Sequence, residues 1–148
     1  MPPVLGLDHL AIAVEDLDAA TRVWRDRLGL RQGAREIVAE QGVEVQMMYA
    51  GDTRVELLRP LGPDSPIAGF LARRGPGLHH LALAVPDCRE AVAELAAAGL
   101  RLIDREPRPG ADGTLVAFVH PRSADGVLTE LVEGGEGPWR RPAEEVRR

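Results

Sequence analysis

Two histidines and two glutamates occupy matched places in a sequence that repeats itself. Residues 7–20 and 78–91, which are 71 positions apart, are identical at eight of fourteen positions, and each segment carries a histidine. Towards the end of each half an aliphatic segment carries a glutamate, which needs a partner once it is buried. Two imidazoles and two carboxylates supply that partner if they converge on a divalent cation. The four candidate ligands are His9, Glu56, His80 and Glu130.

Side-chain alternation along the strands separates a histidine face from a core face. In the first strand of each half the histidine shares its face with two alanines, and Leu, Ile and Val side chains occupy the other face. Alanines beside a histidine leave space above the sheet. His79 falls on the face opposite His80, whereas Glu56 shares its face with Arg54 and Leu58. The sequence therefore predicts a site on the alanine-lined face.

Each half has the pattern of a βαβββ unit. Asp16 and Asp87 are N-caps for one helix in each half, and Gly29 and Gly99 mark where these helices end. Glycine-containing turns separate three further strands after each helix. The predicted strands are 7–14, 31–38, 43–50 and 53–58 in the first half, and 78–85, 101–106, 114–120 and 127–132 in the second. The fold class is therefore α+β.

The chain is expected to form one domain made of two repeats. Repeat one spans residues 5–59, and repeat two spans 77–133. The segment 60–76 between them is a linker that leads into a short helix, with Ser65 as the cap and a proline at the first helical position. Residues 134–148 contain few apolar side chains and are predicted to be a mobile tail.

Composition excludes several classes of function. All 18 cationic residues are arginine, so enzymes that use a lysine Schiff base and phosphate-binding loops of the Walker type are excluded. The net charge of −5 argues against nucleic-acid binding. Cys88 is the single cysteine and is expected to be a spectator. No apolar run approaches the roughly 20 residues of a membrane span, and the N-terminus lacks signal-peptide features, so we expect a cytoplasmic protein without a membrane partner.

Four segments resemble one enzyme family. They are Asp8-His-Leu-Ala-Ile-Ala-Val14, Glu56-Leu-Leu-Arg-Pro-Leu-Gly-Pro-Asp-Ser-Pro-Ile-Ala-Gly-Phe-Leu71, Gly77-Leu-His-His-Leu-Ala82, and Phe118-Val-His-Pro121 with Gly126-Val-Leu-Thr-Glu-Leu131. These segments are similar to the methylmalonyl-CoA epimerases, which belong to the vicinal oxygen chelate superfamily together with glyoxalase I. The resemblance covers roughly residues 5–133. It implies that the two βαβββ repeats form a curved, cup-shaped mixed sheet around a metal site.

The resemblance also implies a reaction, in which (2R)- and (2S)-methylmalonyl-CoA interconvert by α-proton transfer through a metal-stabilised enolate. Six-coordinate ligation by nitrogen and oxygen suits cobalt, manganese, nickel or zinc in a site that keeps positions open for substrate. Glu130 would be both a ligand and a catalytic base. Some members carry a second glutamate where this sequence has Val45, so Glu44 becomes a second base only through a one-residue slip or bulge.

Other residues are candidates for substrate contacts. His120 lies in a segment that resembles the family, and either a structural or a substrate-binding role is open for it. Arg73 and Arg74 are candidates for the phosphates of an acyl-CoA. The family resemblance also implies a homodimer. The alternatives are a glyoxalase-like isomerase, another metal-dependent enzyme of the superfamily such as a ring-cleaving dioxygenase, and a non-enzymatic small-molecule binding protein.

Overall fold

A single mixed sheet of eight strands forms the body of the protein, and the computed structural model describes residues 2–135. Within these residues, three α-helices accompany the sheet. The strands are β1 (Gly6–Ala13), β2 (Arg31–Val38), β3 (Val43–Ala50), β4 (Thr53–Pro60), β5 (Gly77–Ala84), β6 (Arg108–Pro109), β7 (Leu115–Val119) and β8 (Thr129–Glu133), and the helices are α1 (Leu17–Arg22), α2 (Pro66–Arg74) and α3 (Cys88–Ala97).

The two repeats join along their first strands. The strand order is β2-β3-β4-β1-β5-β8-β7-β6, with β1 antiparallel to β5 at the centre. In each repeat the first strand also pairs in parallel with the last, β1 with β4 and β5 with β8. The sheet curls into a half-barrel, which confirms the predicted fold class of two βαβββ repeats.

The second repeat departs from prediction in its second strand. Residues 101–106 were expected to form a strand, but only Leu102 makes a bridge there, with Val119, and β6 is a two-residue strand further on. The Asp104 carboxylate accepts the hydrogen bond of the Phe118 N–H, so a side chain takes the place of a backbone carbonyl. Pro107 and Pro109 lack an N–H and also limit pairing, which is why this edge of the sheet is short.

The helices begin at the predicted caps. Asp16 Oδ1 accepts from the Ala19 N–H and Asp87 Oδ1 accepts from the Glu90 N–H, each at 2.9 Å. Helix α1 changes into one π-helical turn, Val23–Arg27, before the chain turns at a glycine with φ of +82°. In α2, the Ser65 hydroxyl caps the helix as predicted.

Two apolar layers lie on the helix-bearing face of the sheet, as alternation predicted. Val14, Leu17 and Met48 form part of the layer under α1, and Val85, Ala91 and Leu131 form part of the layer under α3. The opposite, concave face contains the alanines of β1 and β5. Helix α2 covers part of that face, because Ile67 packs with Ala11, Ala13 and Leu58. The space predicted above the alanines is therefore partly filled.

Residues 136–148, most of the predicted tail, lie outside the described residues. Within residues 2–135, no helix is long and apolar enough to cross a membrane.

Candidate metal centre and active site

The four candidate ligands come from the four central strands, β4, β1, β5 and β8. Ala11 of β1 is the register partner of both Glu56 and His80. Ala82 of β5 is likewise the partner of His9 and of Glu130. Each alanine is fully buried and too small to fill the space in front of it, so side chains from its two neighbouring strands can meet there. The repeat thus brings one histidine and one glutamate from each half together.

The distances place these side chains in direct contact. His9 Nε2 lies 3.3 Å from Glu56 Oε1, 3.1 Å from Glu130 Oε1 and 3.3 Å from His80 Nε2. His80 Nε2 lies 3.4 Å from the same oxygen of Glu130. The ligand atoms of His9, Glu56 and His80 all fall within 4.8 Å of one another, which is the spacing of atoms around a single ion.

The donor set fits a divalent cation. All four side chains are buried, and Glu130 Oε1 has no hydrogen-bond partner of acceptable geometry among the described residues. The two Nε2 atoms face each other, so they cannot both donate a proton across that contact. His9, Glu56 and His80 place two imidazole nitrogens and one carboxylate oxygen close enough to bind one first-row dication, and Glu130 Oε1 contacts both imidazoles.

The pKa values show how strongly the groups interact. Burial opposes charge on His9, but Glu56, Asp8 and Glu130 around the ring outweigh it and raise the pKa of His9 well above its usual value. Burial raises the pKa of Glu56. For Glu130, burial acts in the same direction, but the close contacts with His80 and His9 and their charges prevail and lower the pKa of its carboxyl. The carboxylates of the cluster therefore favour positive charge on the group beside them.

Each ligand histidine is held through its second ring nitrogen by the residue before it. Asp8 Oδ2 lies 2.7 Å from His9 Nδ1, and His79 Nδ1 lies 2.8 Å from His80 Nδ1. The register of β1 against β5 shifts at Asp8 and again at His79, so both residues are at β-bulges. A bulge redirects a side chain, and the expectation that His79 faces away from His80 was therefore wrong.

His79 and Asp8 differ in charge. Burial, the neighbouring His80 and Arg73 lower the pKa of His79 to about 4, so its ring is neutral at pH 7. Phe70 packs edge-on against it, with ring centroids 5.0 Å apart. Asp8 by contrast is a carboxylate, and it accepts a second hydrogen bond of 2.9 Å from Arg54 Nη2. Alternation had placed Arg54 on this face, but sequence reasoning gave it no role.

A cleft of about 650 Å³ opens beside the cluster and reaches His80. Its walls are the segment 39–43, the segment 61–67 before and at the start of α2, and side chains from the second repeat that include Ile103, Arg108 and Phe118. Arg108 was missed by the sequence reasoning because it lies in a segment predicted to be a turn after a strand. The Nε of Arg108 is 3.0 Å from Asp104 Oδ1, so this guanidinium at the cleft wall already forms an ion pair.

A second, small cavity of about 20 Å³ is lined by His9, Glu56 and Glu130. A cavity of this size holds about one water molecule. Val45 and Met47 are also part of its wall. The cluster therefore borders both a small polar chamber and a cleft that is large enough for an organic ligand.

Glu44 lies on the opposite face of the sheet from the cluster. The pairing of β3 with both of its neighbours is continuous through residues 43–46, so the slip that would turn Glu44 towards the site does not occur. Its Oε1 accepts hydrogen bonds of 3.1 and 2.7 Å from Arg59 instead. Val45 takes the inward position. The geometry does not bring the second candidate base to the site.

The three candidate substrate contacts are also away from the cleft wall. His120 Nδ1 accepts from the Arg122 N–H at 3.0 Å and caps a short helical turn, which is a structural use of the ring. Arg73 and Arg74 are exposed at the end of α2, whereas it is the beginning of α2 that lines the cleft. A contact between these two arginines and coenzyme A phosphates stays a prediction.

Fold and site together define a class. Residues 8–118 match the model of the Glyoxalase/Bleomycin resistance protein/Dioxygenase superfamily, and the chain belongs to that superfamily. An ethylmalonyl-CoA/methylmalonyl-CoA epimerase of Cereibacter sphaeroides is 43% identical, over 84% of this chain and 95% of the relative. The human mitochondrial methylmalonyl-CoA epimerase is 41% identical, over 84% of this chain and 72% of its own. With these relatives, the chain is a member of the methylmalonyl-CoA epimerase family.

A solved structure supports the same placement. A variant of Streptomyces coelicolor methylmalonyl-CoA epimerase in complex with 2-nitronate-propionyl-CoA superposes with a TM-score of 0.87 at 34% identity, covering 90% of this chain and all (100%) of that one. The predicted family is thereby confirmed.

Proposed function

We propose that this protein is a metal-dependent epimerase that interconverts the (2R) and (2S) forms of methylmalonyl-CoA. The observation that carries the proposal is the cluster of His9, Glu56, His80 and Glu130, assembled from both repeats next to a cleft, in a chain 41–43% identical to epimerases of this name. The complex of the Streptomyces coelicolor relative with an acyl-CoA analogue supports an acyl-CoA as the ligand of the cleft.

The chemical difficulty of the reaction is the carbanion formed when the α-proton leaves. A divalent cation held by the four ligands would stabilise negative charge on the thioester and carboxylate oxygens of the substrate. Two neutral imidazoles and two carboxylates balance the charge of such a cation, so further anionic oxygens can approach. Because the site is buried, these interactions act in a low dielectric and are stronger than in water.

Glu130 moves the proton. Its Oε1 is buried and has no hydrogen-bond partner of acceptable geometry among the described residues, and His80 and His9 lower the pKa of its carboxyl, so the group is ionised. Asp8 and His79 hold the two rings in place through Nδ1, which leaves the Nε2 lone pairs directed at the cluster.

The second proton transfer takes place without a carboxylate from β3. Glu44 faces away and is paired with Arg59, and neither Val45 nor Met47 carries a proton that can be transferred. Water that enters through the cleft delivers this proton in our proposal. Epimerisation then proceeds with exchange of the α-hydrogen against solvent.

Finer parts of the proposal concern the cation and the assembly. We assign cobalt, manganese, nickel or zinc as the cation, because these ions accept mixed nitrogen and oxygen ligands. Plasma emission spectrometry of the purified protein identifies the ion. We also propose that the protein is a homodimer, which equilibrium sedimentation tests, and that it is cytoplasmic, which cell fractionation tests.

The proposed activity is tested by incubating metal-loaded protein with (2R)-methylmalonyl-CoA in D₂O. We expect loss of the α-proton signal in the NMR spectrum and formation of the (2S) form, both abolished by a chelator. Ethylmalonyl-CoA is run in parallel, because the Cereibacter sphaeroides relative is named for both substrates. Absence of exchange with either substrate in protein that holds its metal would contradict the proposal.

A further inference from the structure

The structure assigns Arg54 to the metal centre as a positioning residue. We propose that its guanidinium fixes Asp8, that Asp8 in turn fixes the ring of His9, and that this chain of contacts sets the affinity for the cation. The inference rests on the proposed metal centre and adds a residue to it. Arg54 lines the small cavity beside the cluster and does not line the cleft.

The contacts form an unbroken series inside the protein. Arg54 Nη2 donates to Asp8 Oδ1 at 2.9 Å, and the other oxygen of Asp8, Oδ2, lies 2.7 Å from His9 Nδ1. His9 Nε2 then points at Glu56 and Glu130. Arg54 is 4% exposed and Asp8 is 3% exposed, so these contacts are shielded from bulk solvent.

A buried series of this kind controls which nitrogen of the imidazole carries its proton. Asp8 as a carboxylate accepts from Nδ1–H, which leaves the lone pair of Nε2 free to bind a cation. A buried carboxylate is stable only when its charge is compensated. Arg54 supplies that charge, and because its planar fork fixes direction as well as distance, it also keeps Oδ2 aimed at His9.

The histidine of the second repeat has no comparable support. His79 occupies the bulge position that Asp8 occupies in the first repeat. An imidazole at this position contacts His80 through Nδ1 but cannot supply a negative charge. The buried ion pair between Arg54 and Asp8 therefore supports His9 as a ligand and sets how tightly His9 binds the cation.

Arg54 also reaches the second repeat. Its Nη1 lies 3.7 Å from Asp112 Oδ2, and Asp112 adopts a left-handed φ of 57° while its N–H donates to Glu36 Oε1. Asp112 is half-exposed at its side chain, so this second contact is the weaker of the two. If Arg54 had only a structural role, it would stabilise the fold through its contact with Asp112. The experiment therefore has to separate this effect on stability from the effect of Arg54 on Asp8.

The test is a double-mutant cycle on cation affinity in the full chain. Arg54→Met, Asp8→Asn and the double variant are compared, with Arg59→Met as the matched control, because Arg59 pairs with Glu44 on the opposite face of the same strand. The dissociation constant for Co²⁺ is measured by chelator competition, and the visible spectrum of bound Co²⁺ reports ligand geometry. Urea unfolding of each metal-free variant measures stability separately.

We expect Arg54→Met and Asp8→Asn each to weaken Co²⁺ binding by about 10- to 100-fold, the usual effect of losing such a supporting contact. The double variant should be no weaker than Asp8→Asn alone, because Arg54 acts through Asp8. Arg54→Lys, which keeps a cation beside Asp8, should recover part of the affinity. Arg59→Met should bind Co²⁺ like the unmodified protein.

Two different failures can be told apart. If the unmodified protein does not bind Co²⁺, the proposed metal centre is wrong and the assignment of Arg54 falls with it. If the unmodified protein binds Co²⁺ but Arg54→Met binds it as tightly as Arg59→Met, only the assignment of Arg54 is overturned. Additive losses in the double variant would also overturn it, because they would show that Arg54 acts independently of Asp8.

Discussion

Replacing Glu44 and Glu130 one at a time by glutamine tests which carboxylate transfers the proton. Both substitutions preserve size and remove one negative charge. Glu130 is buried in the cluster, 3.1 Å from His9 Nε2, whereas Glu44 makes an ion pair of 2.7 Å with Arg59 on the other face of the sheet. The same chemical change is thus made once inside the site and once outside it.

The structure sets different magnitudes for the two variants. A positioned general base contributes about 10²- to 10⁴-fold to a rate, so we expect Glu130→Gln to lose that much of the exchange rate at saturating metal. The side chains of Arg59 and Glu44 are 38% and 20% exposed. A partly exposed pair of this kind contributes about 0.2–1 kcal/mol, so Glu44→Gln should lower Tm by less than about 4 °C and leave the exchange rate unchanged.

The assay is the rate of α-proton loss from methylmalonyl-CoA in D₂O, measured by NMR with metal content determined for each sample. Tm is obtained for each variant from thermal unfolding followed by circular dichroism. A loss of exchange in Glu44→Gln that matches the loss in Glu130→Gln, with metal content intact, would refute the face assignment of β3. Retention of the full rate in Glu130→Gln would refute the role of Glu130.

Three further predictions concern the framework. Cys88 is fully buried, and burial together with Glu133 raises the pKa of its thiol to about 12, so a disulfide reagent such as DTNB should label it only after denaturant unfolds the protein. Asp87→Ala removes the cap of α3 and should cost about 1 kcal/mol in the free energy of unfolding measured with urea. In Gly110→Ala, the new Cβ would lie 2.6 Å from Thr114 Oγ1 and 2.7 Å from Val116 Cγ1, and the same measurement should show a loss of about 1–3 kcal/mol. Gly62→Ala, whose Cβ would meet nothing within 4 Å, is the control for the clash.

The internal repeat explains why so much of the architecture could be predicted. Equivalent histidines and glutamates at equivalent strand positions give the βαβββ unit twice, and alternation then determines which side chains share a face. The same alternation placed Val45 inward and Glu44 outward, which the continuous register of β3 confirms. These features depend only on local periodicity, which a sequence displays directly.

The parts that could not be predicted depend on irregular backbone. His79 was assigned to the wrong face because alternation assumes a regular strand, and a β-bulge adds one residue that breaks the period. The strand expected at residues 101–106 failed because the Asp104 side chain, rather than a backbone carbonyl, accepts from Phe118 N–H. The role of Arg54 depends on a contact with Asp8 across 46 residues, which no local pattern encodes.

The central claim is that the cluster of two histidines and two glutamates binds one cation and that this cation is required for α-proton exchange. The direct measurement is the exchange rate of methylmalonyl-CoA in D₂O while chelator-treated protein is titrated with Co²⁺. The account predicts no exchange without the ion and a rate that rises to a plateau at one Co²⁺ per chain. Full exchange in the chelator-treated protein, or no exchange in protein that has bound its Co²⁺, would contradict it.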